Sequence, residues 1–279
     1  MSIVISPSLV LSASAAALSL NNPTILYRNF ITSAGITATS EDTDHPVSNL
    51  ANPLTFPDAQ WWATSTAEHV LVFTISEIEA INGVGFAGHN LGTAEIGITI
   101  EVYTDSAWVE VYDGMPANDA PLMFRFDEYS VSSVRITLAT GNEAARIACV
   151  SIGPLLVVQR RIWMGHTPIT MGVNTTFVNG ISMAGDFLGT TVLGEHNSTS
   201  IDLKNLEPVW YRTYFDPFVR AARTLPFFFA WRPLHHPTEV GYCWITNNPK
   251  PVNQRKRQST QGNEYDGLLS VQLQVNGIV

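Results

Sequence analysis

Residues 98–104 read Ile-Thr-Ile-Glu-Val-Tyr-Thr, with apolar and polar side chains largely taking turns. That is the period of a strand with one face buried and one face wet. Short runs rich in β-branched and aromatic residues recur at 70–75 (VLVFTI), 107–114 (AWVEVYDG) and 131–140 (VSSVRITLAT). The TDSA segment between Tyr103 and Trp108 reads as a hairpin loop. Residues 148–159 predict a further apolar strand, broken at Gly153-Pro154. No long amphipathic helix is legible before residue 200, and many short strands separated by turns predict a β-sandwich.

The second half keeps the β character. Residues 167–206 carry five glycines among many Thr, Asn and Ser, and read as short strand-like pieces. LPFFFAW (225–231) predicts a strand buried on both faces, and 241–247 and 267–279 predict two more. One helix is predicted over 211–223, with Tyr214, Phe215, Phe218 and Ala222 at helical spacing. Asp216-Pro217 inside it reads as an N-cap followed by proline at the first helical position.

A length of 279 residues favours more than one domain. The division we expect is an arm or strand over 1–40, a β-sandwich over 41–158 and a second β-rich domain over 159–279. Hydrophobic residues make up 45% of the chain and charged ones 14%, so little charge is available to cover the outside. Chains of this kind hide part of their surface in assemblies. The net charge of −9 is lopsided: four Lys+Arg face sixteen Asp+Glu through Val158, and eleven face eight beyond it. This asymmetry either orders contacts between neighbouring subunits or reflects two domains of ordinary but different composition. An acidic chain whose one basic run is 250–257 does not have nucleic acid as its main partner. The apolar stretch 9–20 resembles a signal peptide, but no Lys or Arg precedes Arg28. It is too short to span a bilayer and reads as a strand or tucked arm, with no membrane insertion and with secretion as the lesser alternative. Cys149 and Cys243 have no metal-ligand spacing and read as buried free thiols.

The sequence carries no catalytic constellation, so an enzyme is not expected and no cofactor is implied. His235-His236 with Glu239 is the best metal candidate, but adjacent histidines on an extended chain point apart, and Pro233 and Pro237 bracket them in a loop. Oxygen ligands at Asp42, Asp44 and Asn49 leave a structural Ca²⁺ as an option. Glu41 extends that charge run, and Asp127-Glu128 form a second acidic pair. No phosphate loop and no Gly-x-Ser-x-Gly elbow occurs. Trp61-Trp62 follow a loop shaped by Asn52-Pro53 and Phe56-Pro57. On a strand entry one of them packs inward and the other covers a loop, faces solvent, stacks on a sugar or meets a subunit. Tyr103, Trp108 and Tyr112 carry the same ambiguity.

From about Pro46 to Gly153 the order of features resembles the discoidin family of galactose-binding-like jelly-roll sandwiches. The carriers are Ser48-Asn49-Leu50, Trp61-Trp62, HVLVFTI (69–75), INGVGFAGHNLG (81–92), the hairpin ITIEVYTDSAWVEV and the strand VRITL with Arg135. The resemblance implies an all-β fold with Trp61 or Trp62 at one end of the sandwich and His89-Asn90 as a structural turn. Family members bind sugars, phospholipid heads or proteins through loops at one end. That marks Trp61, Trp62 and Asn49 as a candidate ligand site.

A second resemblance, over nearly the whole chain, is to structural proteins at the distal end of bacteriophage tails. It rests on the lead-in 21–56, on GEHNSTSIDLKNLEPVWYR, on the aromatic stretch 226–246 and on the ending GLLSVQLQVNGIV. It implies a tail-tip or baseplate protein of the virion, made in the host bacterial cytoplasm, that forms a ring oligomer and contacts other tail proteins. The second half would build the ring. Trp210, Tyr211, Phe215, Phe218, Phe227, Phe229 and Trp231 supply the pool of interface or core anchors. Arg212, Arg220, Arg223 and Arg232 either pair with acidic surfaces of a neighbour or solvate their own domain. The rival expectation is a carbohydrate-binding module for cell-surface glycans, and the two roles are compatible.

Overall fold

The computed structural model describes residues 3–5, 20–162, 165–254 and 267–279. Residues 9–19 of the apolar stretch and 255–257 of the basic run lie outside the described residues. The first sheet uses β1 (Ile3–Ile5), then, after β2 (Thr24–Leu26), β3 (Ile36–Ala38), β4 (Trp61–Trp62), β5 (His69–His89), β6 (Ile98–Thr104), β7 (Ala107–Gly114), β8 (Leu122–Leu138) and β9 (Arg146–Gly153). The second uses β2 with β10 (Leu155–Val157), β11 (Val173–Ile181), β12 (Phe187–Leu206), β13 (Phe227–Ala230), β14 (Val240–Ile245), β15 (Val252–Asn253) and β16 (Leu269–Ile278). The fold is all-β, as the pattern predicts, with short 3-10 turns and, among the described residues, one stretch of α and π helix.

In the first sheet the order is β4-β9-β5-β8-β6-β7, with β3 on β5 and β1 parallel to β8. The first half of β5 lies against β3, and its second half, from Gly83, lies against β9. Register shifts after Thr74 and Ile81 mark where the long strands β5 and β8 change course. The sheet therefore curls around one core, in which Trp61, Phe73, Phe86, Ile100, Val134 and Ile136 are fully buried. The alternation over 98–104 is kept: Ile98, Ile100 and Val102 point inward while Thr99, Glu101 and Tyr103 stay partly exposed.

The second sheet runs β10-β2-β13-β14-β16-β12-β11. β2 and β10 flank residues 36–153 in sequence, so that segment is an excursion from the second sheet. The expected division differs in this detail: arm 1–40 supplies strands to both sheets, and 155–157 joins the second. β13 explains the Phe-Phe-Phe run. Phe227 and Phe229 face the helical stretch, whereas Phe228 and Ala230 face the first sheet with Leu26, Ala87, Met123, Cys149, Val240 and Tyr242. The close approach is made possible by glycine: a Cβ on Gly85 of β5 would come within 2.8 Å of the Phe228 ring. Both cysteines are buried free thiols.

Two local expectations are corrected. The helical stretch begins earlier than Tyr211, as α1 (Pro208–Trp210), a π turn (Tyr211–Phe215) and α2 (Asp216–Ala221). Glu207 is the extended cap residue and Pro208 the proline at the helix start, so Asp216, with helical φ −61° and ψ −40°, is not an N-cap. Pro217 lacks the N–H that an α turn would use, and the π turn before it accommodates that loss. The short pieces expected over 167–206 are instead one long hairpin, β11–β12.

Candidate functional site

The β11–β12 hairpin is the feature least accounted for by the fold itself. β12 pairs with β16 only from Asn197 onward, so among the described residues β11 is the only strand partner of residues 187–196. Cross-strand pairs Phe177–Val192 and Ile181–Phe187 put four large apolar side chains on one face, and all are exposed, Phe187 at 69%. Val178, Leu188, Leu193 and the turn residue Met183 are exposed as well. Between the apolar rungs, Thr190 donates to the Asn179 side chain at 2.6 Å. Asp186, which accepts from Ser182, is the one charged residue between Met171 and Gly194. Sequence reasoning passed over this unit. Its signal was that near absence of charge in a Thr/Asn/Gly-rich stretch.

A cleft of about 790 Å³ opens beside the junction of the two sheets. Tyr27 to Phe30, Pro154 to Leu156, and Tyr214, Pro217 and Leu225 of the helical region line it, with Arg28 the one charged lining residue. Arg28 is exposed, its guanidinium 5.5 Å from the Phe30 ring centre.

The aromatic residues expected at an interface divide into two groups. Tyr211, Phe215, Phe218, Phe227 and Phe229 are buried between the second sheet and the helical stretch, so they are core and not contact residues. The reason is that π and α turns 211–221 lay one face across the sheet, with Phe218 edge-on to Phe227 at 4.9 Å. Burial pushes the Tyr211 hydroxyl pKa up to about 12. Trp210 and Trp231 are partly buried at the rim of this core. Trp231 donates from Nε1 to the Glu239 carboxylate, stacks on His236 at 5.1 Å and carries the Arg232 guanidinium at 4.8 Å. Arg220 pairs with Asp216 one turn away at 2.8 Å, and Arg223 is exposed. The His235 backbone N–H donates to Asn21 Oδ1 at 3.2 Å.

At the expected ligand loop Trp61 is fully buried and donates from Nε1 to the Ser40 carbonyl at 3.2 Å. Trp62 is half-buried. His45 stacks on its ring at 3.8 Å and Arg146 lies over it at 5.6 Å, so its stacking surface is already occupied from within the chain. The Asn49 side chain donates to the Gln60 carbonyl at 2.9 Å and ties the loop shut. Glu41 and Asp42 accept from the backbone N–H groups of Val47 and Asp44. Among the described residues no group of three His, Cys, Asp or Glu gathers in a metal-ligating arrangement.

A second partly exposed aromatic pair lies on the outer face of β6–β8. Tyr103 and Trp108 lie 5.1 Å apart, and the Arg135 guanidinium covers Trp108 at 4.4 Å. Arg135 also donates twice to Glu101, at 2.5 and 2.6 Å. Because this pair is partly exposed, Glu101→Gln is expected to lower stability by less than about 1 kcal/mol, read from urea unfolding midpoints.

No family model and no curated protein matches the chain. Solved structures do. SpGH29 aligns with a TM-score of 0.40 and 11% identity over 46% of this chain, which spans only 28% of that protein's length. A chitosan-binding module from a Paenibacillus sp. IK-5 chitosanase/glucanase aligns at 0.40 and 15% identity, over 45% of this chain and 98% of that one. The family 32 carbohydrate-binding module of C. perfringens NanJ, solved with galactose, aligns at 0.38 and 16%, over 48% and 99%. Likenesses at this level leave the ligand of this chain open.

Proposed function

We propose that the protein is a structural subunit that self-associates through the β11–β12 hairpin, as a ring-forming component of a phage tail tip or baseplate that also contacts other tail proteins. The observation that carries the assembly reading is the projecting hairpin itself. A two-stranded hairpin alone in water is marginal, and one with a row of exposed Phe, Ile and Val side chains calls for a covering surface. Each of those side chains leaves on the order of 1 kcal/mol of burial unclaimed. The tail-tip reading rests on the sequence resemblance described above, and with it go a virion location and synthesis in the bacterial cytoplasm.

The test is the mass in solution by light scattering. Wild type is expected well above the 30.6 kDa of one chain. A variant with Phe177, Ile181, Phe187 and Val192 all changed to Thr, which keeps strand propensity, is expected at one chain's mass with an unchanged far-UV circular dichroism spectrum. A wild type that stays monomeric at every concentration, or a variant that assembles as well as wild type, removes the reading.

A second reading, recognition of cell-surface glycans, is favoured by the half-exposed Tyr103–Trp108 surface with its charged flank, Glu101 and Arg135. It locates the sugar on the outer sheet face and away from Trp61, Trp62 and Asn49. Calorimetric titration with neutral and acidic oligosaccharides tests it, and binding that survives Trp108→Ala counts against this surface.

A further inference from the structure

We infer that the hairpin tip of one copy seats in the cleft between Tyr27–Phe30, Leu155–Leu156 and Tyr214–Leu225 of a second copy, a head-to-tail contact. This rests on the assembly reading and names its partner surface. The two surfaces match in kind. The tip offers Ile181, Met183, Phe187 and Leu188, all exposed, and the cleft offers Phe30, Leu155, Leu156, Tyr214 and Leu225 around an open volume of about 790 Å³. That volume falls in the range of roughly 300–1,000 Å³ that encloses a ligand of several rings. They also match in charge. Asp186 is the one charge near the tip and Arg28 the one charge lining the cleft. The chain's own hairpin does not fill its own cleft, since the tip side chains are exposed and none of them lines it.

Because hairpin and cleft are different parts of the surface, each copy uses both at once, and repetition closes into a ring or continues as a filament. A lipid bilayer is the other medium that covers exposed apolar side chains. The hairpin suits it poorly: the Asn179–Thr190 rung interrupts the apolar face and the Asp186 carboxylate sits at the leading end.

Charge reversal and cross-linking in the full-length chain test the contact. Arg28→Glu and Asp186→Arg are each expected to weaken self-association about fivefold or more in sedimentation experiments. The double variant R28E/D186R is expected to recover most of the loss. In parallel, Met183→Cys and Tyr214→Cys chains are mixed and treated with a short bis-maleimide, the native cysteines being buried. Cross-linked dimers are expected in the mixture, with far fewer when either variant is alone.

The outcomes separate the two ideas. A monomeric wild type overturns both the docking and the assembly reading. An oligomeric wild type with no charge rescue and no 183–214 cross-link overturns the docking alone. Cross-links that form equally in M183C alone also overturn it, in favour of hairpin meeting hairpin. Flotation with phosphatidylglycerol/phosphatidylcholine vesicles that requires the hairpin's apolar side chains, with no 183–214 cross-link, assigns the hairpin to a membrane and overturns it as well.

Discussion

Phe228→Ala lowers the unfolding free energy by about 3–5 kcal/mol, the usual range for emptying a buried phenylalanine site. Phe228 has no exposed surface and stands where the two sheets meet, against the Tyr242 ring at 4.8 Å and above Gly85 of β5. The size of the loss depends on whether the hole can close. Here it cannot close easily, because Gly85 offers no side chain to move in. Its strand is also held by hydrogen bonds to β8 on one side and β9 on the other. The same site couples the sheets, together with the Tyr242 hydroxyl, which donates to the Pro53 carbonyl at 2.8 Å. Urea unfolding followed by tryptophan fluorescence and by far-UV circular dichroism measures both effects. The two signals are expected to coincide in wild type and to separate in the variant. A loss below about 1 kcal/mol would mean that the sheets do not support one another through this residue.

Acid destabilises the fold through His89. The imidazole is buried at the end of β5, donating from Nε2 to the Ala120 carbonyl at 3.0 Å and accepting at Nδ1 from the Leu91 N–H at 3.3 Å. Burial, only partly offset by Asp119 and the Ala120 carbonyl, lowers its pKa from 6.5 to about 4. A second proton on Nδ1 would also remove the acceptor of Leu91. The unfolded chain takes up a proton near pH 6.5 while the folded chain resists until about pH 4. Stability from this group is therefore complete above about pH 6.5 and falls as the pH drops toward 4. Between pH 7 and pH 5 the loss is about 2 kcal/mol. His89→Gln, neutral throughout, is expected to lack this component when unfolding midpoints at the two pH values are compared. An equal pH slope in both proteins would assign the acid sensitivity elsewhere.

The discoidin resemblance implies a structural turn at His89-Asn90; β5 runs to His89 and the turn follows at 91–95. Asn90 donates to the Ala144 carbonyl at 3.0 Å and accepts from the Arg146 N–H at 2.8 Å, fastening the end of β5 to β9. The fate of the aromatic residues was not legible in the same way. Phe215 and Phe218 are the residues one would choose for either a core or a subunit contact, and both settings reward the same apolar rings. Which one applies depends on what the opposite face of the helical stretch meets, a question of tertiary packing. Trp61 and Trp62 illustrate the intermediate case. Strand alternation requires them to face apart, but only the packing of His45 and Arg146 shows that the outward ring is already covered.

Local pattern alone determined the β class, most strand positions, the break at Gly153-Pro154 and the doubly buried Phe-Phe-Phe strand. These depend on the two-residue period of the backbone and on proline chemistry, which act over a few residues. Tertiary structure alone decided where the helix starts, since Pro208 and Pro217 both look like first-turn prolines and only burial of Tyr211 with Phe215 selects the earlier one. It also decided that the chain from 36 to 153 leaves and rejoins the second sheet, because strand pairing between distant segments leaves no local trace. The exposure of the hairpin belongs to the same class. Its residues look like ordinary strand pieces, and what sets them apart is that the pairing with β16 stops at Gly277 and Asn197, so that among the described residues the rest of β12 lies against β11 alone.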